Sequence, residues 1–200
     1  MKKKIAIFIS GRGSNMVALL NNIKEGILKD LCRVELVFAN KPEAAGLKIA
    51  EEFGVPTACI ESKGKKREDF DREVVEFLKE YNLDYIVLAG YMRILSPLFI
   101  AAYRNKIINI HPADTSEFQG IGAYEWAFEN KKAFTKITVH FVDEGVDTGK
   151  VIGKQIVDLQ GCKTLEEVEK AGLAMEHSFY SEALRKVFSG EYKLEEGSKP

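Results

Sequence analysis

The strongest constraint on the fold is the regular alternation of short apolar runs with amphipathic segments over the first 110 residues. The apolar runs predict strands at residues 4–9, 34–39, 56–60, 85–89 and 106–112. Helical patterns separate these runs, and the clearest of them covers residues 67–81 with one apolar stripe. Strands that alternate with helices in this way predict a mostly parallel sheet with right-handed crossover connections.

The last third of the chain follows a different pattern. A short helix is predicted at residues 124–130, and it is followed by two strands at residues 136–142 and 151–157. Thr164 and Glu167 then form a capping box, which predicts the start of a long helix. These segments predict an antiparallel strand pair and a C-terminal helix added to the parallel sheet.

Together the elements predict a single Rossmann-like α/β domain over residues 1–189. Its sheet would be mostly parallel and twisted, with helices on both faces. Residues 190–200 are rich in polar side chains and predict a polar C-terminal tail.

The composition excludes several classes of partner. Twenty-nine basic and 30 acidic residues give a formal net charge of −1, without the basic excess that nucleic-acid binding requires. No apolar run approaches the ~20 residues of a membrane span, and the run after Lys4 is too short for a signal peptide. Cys32, Cys59 and Cys162 are odd in number and widely spaced, which favours reduced, mostly buried thiols. We therefore expect a cytoplasmic protein with no nucleic-acid partner, no membrane partner and no metal.

A glycine-bearing turn lies between the first predicted strand and the first helix. Gly13 is followed by Ser14 and Asn15, and Met16 stands where a dinucleotide-binding fingerprint has its third glycine. The second strand ends at Asn40 rather than at the acidic residue that would bind a nucleotide ribose. Because N–H groups at a helix start attract anions, the turn predicts a monophosphate site. The alternative is that Ser14 or Asn15 simply caps the helix.

Two polar side chains end the fifth predicted strand. Asn109 and His111 are two residues apart, so they project from the same face at the strand's carboxyl end, where open α/β sheets bind ligands. An amide and an imidazole there could stabilise an oxygen that gains charge; the alternative is a polar strand end that caps a loop. Asp147, if it meets His111, would orient the imidazole and raise its pKa, although Asp-Thr-Gly is also a common turn. We interpret His140 as a core histidine or one that supports these groups from behind.

Six short motifs follow one another across nearly the whole chain. They are ISGRGSN at 9–15, LAGYMRILSP at 88–97, NIHP at 109–112, VHFV at 139–142, DTG at 147–149 and EH at 176–177. In combination they resemble the folate-dependent formyltransferases that act on glycinamide ribonucleotide. The resemblance implies transfer of a formyl group from 10-formyltetrahydrofolate, a co-substrate, to the amine of 5′-phosphoribosylglycinamide in purine biosynthesis, without a metal.

The resemblance also implies a role for individual residues. The catalytic trio would be Asn109, His111 and Asp147. The substrate phosphate would be held by Gly13, Ser14 and Asn15. Glu176 would lie near the substrate ribose. The folate would be bound by Arg67, Met92, Arg93, Ile94, Leu95, Asp143, Glu144, Gly145 and Val146.

The chain departs from the family pattern at two places. After Pro112, where relatives have a Ser-Leu-Leu-Pro-like stretch, this chain has the polar residues 113–117. We expect Asp114 and Glu117 to border the catalytic cleft, where they would alter what enters or raise the pKa of His111. Leu173 also stands where a polar residue often helps to bind the substrate.

Three other functions remain open from the sequence. A hydrolase could release formate from the same donor, but hydrolase relatives usually carry an N-terminal regulatory domain, whereas this chain begins at its first strand. A transferase could act on another amine, although initiator-tRNA formylation would call for an added C-terminal module and a basic surface. A non-catalytic nucleotide-binding module would leave Asn109, His111 and Asp147 without a role.

Overall fold

Seven β-strands form one sheet in the computed structural model, which describes residues 1–194. They are β1 (Lys3–Ile9), β2 (Cys32–Ala39), β3 (Thr57–Cys59), β4 (Tyr85–Leu88), β5 (Ile107–His111), β6 (Phe134–Phe141) and β7 (Val151–Asp158). Their order across the sheet is β3-β2-β1-β4-β5-β6-β7. The first five strands run parallel, whereas β6 pairs antiparallel with both β5 and β7. The predicted mostly parallel sheet with a C-terminal antiparallel pair is confirmed.

Six α-helices cover this sheet in the described part of the chain. They are α1 (Ser14–Glu25), α2 (Ala45–Glu52), α3 (Arg67–Leu78), α4 (Pro97–Ala102), α5 (Ala123–Glu129) and α6 (Leu165–Phe188). The helix predicted to reach residue 81 ends at Leu78 and continues as a 3-10 turn over Lys79–Tyr81. The predicted capping box is formed by Thr164 and Glu167 at the start of α6. Among residues 1–194, no helix has the length and apolar character needed to cross a membrane.

Successive residues of β1 face two different helical layers. Ile5, Ile7 and Ile9 pack into a core shared with α1, α2, α5 and α6. Ala6 and Phe8 point the other way, into a core shared with α3 and α4. Because side chains alternate along a strand and both faces are covered, residues 5–9 of β1 are all apolar. The prediction of helices on both faces of the sheet is therefore confirmed.

The direction of the chain across the sheet reverses between β1 and β4. From β1 the chain adds β2 and β3 on one side, and β4 then starts the other side. The loops that follow β1 and β4 are tied together, because Ser10 N–H donates to the Gly90 carbonyl (3.0 Å) and Met92 N–H donates to Ser10 Oγ (2.8 Å). Open α/β sheets bind ligands at the carboxyl ends of the strands beside such a reversal.

The end of the described chain packs against the domain. Within the predicted tail, Tyr192 donates its backbone N–H to the Lys186 carbonyl (2.8 Å) and its hydroxyl to the Val151 carbonyl (3.1 Å). The rest of that tail, residues 195–200, lies outside the described residues. A single domain that ends at residue 189 remains our proposal.

The three cysteines are free and differ in burial. Cys32 is buried, Cys59 is exposed and Cys162 is half-buried, so the expectation of mostly buried thiols is correct only for Cys32. Burial raises the pKa of the Cys32 thiol to about 12. Burial and the neighbouring Glu61 also raise the pKa of Cys59, so neither thiol is activated.

A buried carboxylate anchors the loop that follows β5. Asp114 is 5% exposed, and it forms ion pairs with Lys136 on β6 (2.8 Å) and with Lys154 on β7. It also accepts hydrogen bonds from the backbone N–H (3.0 Å) and the hydroxyl (2.7 Å) of Ser116. Burial alone would raise the pKa of Asp114, but the lysines and Ser116 outweigh burial and hold it well below its usual value.

We expect Asp114→Asn to lower the free energy of unfolding at pH 7 by roughly 1–3 kcal/mol, because the buried group loses its charge-assisted hydrogen bonds. Since folding lowers the pKa of Asp114, its contribution is complete above the unfolded value of 3.8 and is lost as the pH falls below it. Urea denaturation should therefore show a difference from wild type that shrinks below about pH 4. Asp30→Asn, at an exposed carboxylate, is the control; a pH-independent difference for Asp114→Asn would contradict the assignment.

Candidate active site

A cleft of about 290 Å³ opens at the carboxyl ends of β4 and β5. It is lined mainly by the loop after β4, by residues 109–112, by residues 120–122 and by the loop between β6 and β7. Within residues 1–194, no group of three or more histidine, cysteine, aspartate or glutamate side chains is arranged to hold a metal ion.

Three side chains that are far apart in the sequence meet in this cleft. Asp147 Oδ2 lies 3.3 Å from His111 Nδ1, and Asn109 Nδ2 donates to Asp147 Oδ1 at 3.4 Å. The buried His140 lies behind them, with Nε2 3.3 Å from Asn109 Nδ2 and 3.4 Å from Asp147 Oδ1. Its Nδ1 faces the Phe141 carbonyl at 2.9 Å.

The loop between β6 and β7 directs Asp147 towards His111. The carboxylate of Asp143 accepts hydrogen bonds from the N–H of Gly145 (3.1 Å) and from the hydroxyl of Thr148 (2.7 Å), which folds the loop on itself. Asp147 has a φ of 53°, a left-handed conformation that costs free energy and is frequent at functional sites. These local contacts place its carboxylate inside the cleft.

Residues 118–122, between β5 and α5, were not predicted to belong to the site, yet they contact His111 and Asp147. The Phe118 carbonyl lies 3.0 Å from His111 Nε2, and the Gly120 N–H donates to Asp147 Oδ2 at 2.9 Å. Gly120 and Gly122 both have a φ of 87°, a conformation that favours glycine. The Gly-x-Gly pattern was the one signal in the sequence that could have indicated this turn.

Burial and the groups that surround His111 act on its pKa in opposite directions. It lowers the pKa of His111, although the Asp147 carboxylate and the Phe118 carbonyl each act to raise it. The prediction that Asp147 favours the charged imidazole is therefore correct for that interaction, but the expected net rise is wrong because desolvation outweighs it. Burial raises the pKa of Asp147, yet hydrogen bonds from His140 and Gly120 and the charge of His111 lower it overall. Burial thus favours the neutral imidazole, whereas the Asp147 carboxylate and the Phe118 carbonyl, one beside each ring nitrogen, favour its charged form.

The predicted phosphate site lies at the start of α1, outside the residues that line the cleft. Gly13 occupies the N-cap position with a φ of 73°, and no side chain caps the helix. Capping by Ser14 or Asn15 is therefore wrong. Ser14 is exposed, whereas Asn15 is buried and donates from Nδ2 to Glu176 Oε2 at 2.6 Å.

Glu176 is buried where α6 meets α1 and α5. Asn15 donates to one carboxylate oxygen, and the hydroxyl of Tyr124 donates to the other. Burial raises the pKa of Glu176, while these two hydrogen bonds act to lower it. The structure thus joins two residues predicted for substrate binding, Asn15 and Glu176, and adds Tyr124, which the sequence analysis did not single out.

The residues predicted to bind folate fall into two groups. The cleft is lined by Met92, Arg93, Ile94, Leu95, Asp143, Gly145 and Val146. Arg93 lies with its guanidinium carbon 4.5 Å from the centre of the Phe70 ring. Arg67, the first residue of α3, and Glu144 are exposed and do not line the cleft.

The expectation that Asp114 and Glu117 border the cleft is wrong. Asp114 is held by lysines of β6 and β7, and Glu117 pairs with Lys132 at 2.6 Å. Neither carboxylate lines the cleft, and neither is among the groups that shift the pKa of His111. The positive charges of Lys136 on β6, Lys154 on β7 and Lys132 just before β6 explain the orientation of these carboxylates, which the loop sequence alone does not reveal.

Comparison with known proteins assigns the chain to a family. Residues 3–184 match the family model described as formyl transferase. The chain is 36% identical over 186 residues to phosphoribosylglycinamide formyltransferase from Bacillus subtilis, covering 92% of this chain and 94% of that protein. It is 37% identical over 199 residues, 99% of this chain, to the human trifunctional purine biosynthetic protein adenosine-3, of which it covers only 20%. The chain therefore spans between 14% and 20% of the length of the trifunctional relatives that it matches.

Solved structures agree with this assignment. Glycinamide ribonucleotide transformylase 1 from Symbiobacterium toebii superposes with a TM-score of 0.91 at 34% identity, covering 98% of this chain and 92% of that chain. Phosphoribosylglycinamide formyltransferase from Bacillus halodurans gives 0.89 at 36% identity, covering 98% and 100%. The fold is thus the one that these formyltransferase structures share. The chain belongs to the formyl transferase family, and the family predicted from its motifs is confirmed.

We expect Asp147→Asn to lower the pKa of His111 below its wild-type value, because the substitution removes the carboxylate that favours the imidazolium ion. Proton NMR titration of the histidine ring signals, assigned with a His111→Gln variant, measures this shift. Glu144→Gln removes an exposed carboxylate from the same loop and should leave the pKa of His111 unchanged. An unchanged or raised value in Asp147→Asn would contradict the proposed ion pair.

Proposed function

We propose that this protein transfers the formyl group of 10-formyltetrahydrofolate to the amine of 5′-phosphoribosylglycinamide, a step of purine biosynthesis. The observation that carries the proposal is the convergence of Asn109, His111 and Asp147 in one cleft. The relative from Bacillus subtilis bears the name of this activity and aligns over nearly its whole length, which supports the assignment.

The cleft has the character of a site for a flat, largely apolar ligand such as the folate ring. Met92 and Ile94 are 63% and 56% exposed on one side of it, and Ile121 and Val146 are 86% and 42% exposed on the other. Apolar walls with a few polar groups are typical of small-molecule sites. We propose that the folate lies between these walls, while Arg67 and Glu144 would reach it only from outside the cleft.

The acceptor would bind on the other side of the catalytic groups. The start of α1 at Gly13, Ser14 and Asn15 offers backbone N–H groups and the positive end of the helix dipole to the phosphate. The buried carboxylate of Glu176 would accept hydrogen bonds from the ribose. This arrangement would present the amine of the acceptor to a formyl group held in the cleft.

The proposed reaction needs one group that stabilises an oxyanion and one that moves a proton. When the amine attacks the formyl carbon, Asn109 would donate to the oxyanion, because its present hydrogen bonds of 3.3 and 3.4 Å are long and exchangeable. Neutral His111 would take a proton from the attacking nitrogen and pass it to the folate nitrogen as the carbon–nitrogen bond breaks. Asp147 would stabilise the imidazolium ion that exists between these two transfers.

The alternative functions differ from this proposal in the products that they predict. A hydrolase would liberate formate from the same donor without an acceptor, and a transferase for another amine would need a different acceptor. A non-catalytic nucleotide-binding module would show no turnover. A cytoplasmic location and the absence of nucleic-acid and membrane partners stay predictions from the sequence.

We expect purified protein to consume 10-formyltetrahydrofolate only when 5′-phosphoribosylglycinamide is present, and His111→Ala and Asp147→Asn each to lower kcat at least about a hundredfold. The loss follows from removal of the proton-transfer group or of its partner. Asp30→Asn, at an exposed carboxylate that does not line the cleft, serves as the control and should keep its turnover. Formate release without the acceptor would favour the hydrolase, and rates within about threefold of wild type in either variant would refute the mechanism.

A further inference from the structure

We propose that Tyr124 is a specificity-determining residue for the acceptor, because it positions Glu176 to accept hydrogen bonds from neighbouring hydroxyl groups of a sugar. The inference rests on the proposed function, which assigns the acceptor to the junction of α1 and α6. It adds to that function a residue, Tyr124, that positions Glu176 for the ribose hydroxyls.

The packing of α6 makes room for the ring of Tyr124. The ring is buried against Gly172, where an added Cβ would lie 2.2 Å from the phenol. Gly172 and Glu176 are four residues apart on one helix, so they share a face. A ring that lies along this face at Gly172 therefore reaches Glu176 with its hydroxyl, which donates to one carboxylate oxygen.

Glu176 and Asn15 keep unused hydrogen-bond acceptors where α6 meets α1 and α5, which indicates a ligand that donates hydrogen bonds. An ionised carboxylate has about four lone-pair sites, and Tyr124 and Asn15 each occupy only one, on different oxygens of Glu176. In addition, the side-chain oxygen of Asn15 is buried and has no hydrogen-bond partner within the described residues. Buried polar atoms without a partner require an explanation, and a bound ligand is one.

The chemistry of these acceptors distinguishes hydroxyl groups from a phosphate. The free acceptors, on Glu176 and at Asn15 Oδ1, would repel phosphate oxygens but can accept from two adjacent hydroxyls. The phosphate would then bind the backbone N–H groups at the start of α1, and the side chain of Asn15 would serve the sugar. A 1,2-diol, such as the 2′ and 3′ hydroxyls of a ribose, fits this pair of acceptors.

The charge of Glu176 gives the tyrosine a second effect. Burial raises the pKa of the carboxyl group, and the hydroxyl of Tyr124, the amide of Asn15 and the neighbouring His177 act to lower it. Tyr180, on the same helix, is also close enough to interact with this charge. Loss of the Tyr124 donor would move Glu176 towards its protonated form, which accepts hydrogen bonds less well.

We expect Tyr124→Phe to raise the KM for 5′-phosphoribosylglycinamide roughly tenfold, the size expected for a hydrogen bond to a charged group, while kcat changes less than about threefold. The phenyl ring still fills the space at Gly172, so the fold should persist. Tyr81→Phe, on the opposite face of the sheet, is the matched control and should leave KM unchanged. Initial rates over a range of acceptor concentrations give both constants.

Acceptor analogues without the 2′ or 3′ hydroxyl test the diol directly. In the wild-type protein each should bind more weakly than the parent, and in Tyr124→Phe the additional loss should be smaller, because interacting groups are not additive. Glu176→Gln, with acceptor binding followed by calorimetry, should show the same loss of discrimination. An unchanged KM in Tyr124→Phe, or full discrimination retained, would overturn this inference. Wild-type protein that formylates no ribonucleotide would instead overturn the proposed function.

Discussion

The carboxylate of Asp147 is the group on which the candidate site depends. Its side chain is only 12% exposed, and a charge in that position requires partners. Those partners are His111 and Asn109 on β5, His140 on β6 and the N–H of Gly120 in the turn before α5. One buried charge thus draws two strands and two loops together at the end of the sheet.

Burial shifts the pKa values of the two ionisable groups in opposite directions, because it raises the pKa of Asp147 and lowers that of His111. Desolvation favours the neutral form of each, but the donors around Asp147 outweigh burial and lower its pKa overall, whereas the partners of His111 offset burial only in part. In the proposed mechanism the imidazole receives a proton during the reaction, and the carboxylate beside it then stabilises the charge that appears.

The sequence predicted those features that depend on local periodicity. The period of two placed Asn109 and His111 on one face of a strand, and both line the cleft. The contact between His111 and Asp147 depends instead on the path of a loop, which leaves β6 where Val142 N–H donates to the Ile107 carbonyl and is then folded by Asp143. The sequence could not predict the net direction of the shift in the His111 pKa, because burial decides it. Nor could it predict the lysine partners of Asp114, because they lie on neighbouring strands.

Gly172 shows what close packing against the ring of Tyr124 demands of a helix. It lies in the interior of the 24-residue α6, where glycine is less favourable than alanine by roughly 0.5–1 kcal/mol. Alanine would strengthen the helix in isolation, yet its methyl group would displace the aromatic ring of Tyr124. Glycine at position 172 therefore lowers the intrinsic stability of α6. In return it leaves space for the ring of Tyr124, which the proposed recognition of the acceptor requires.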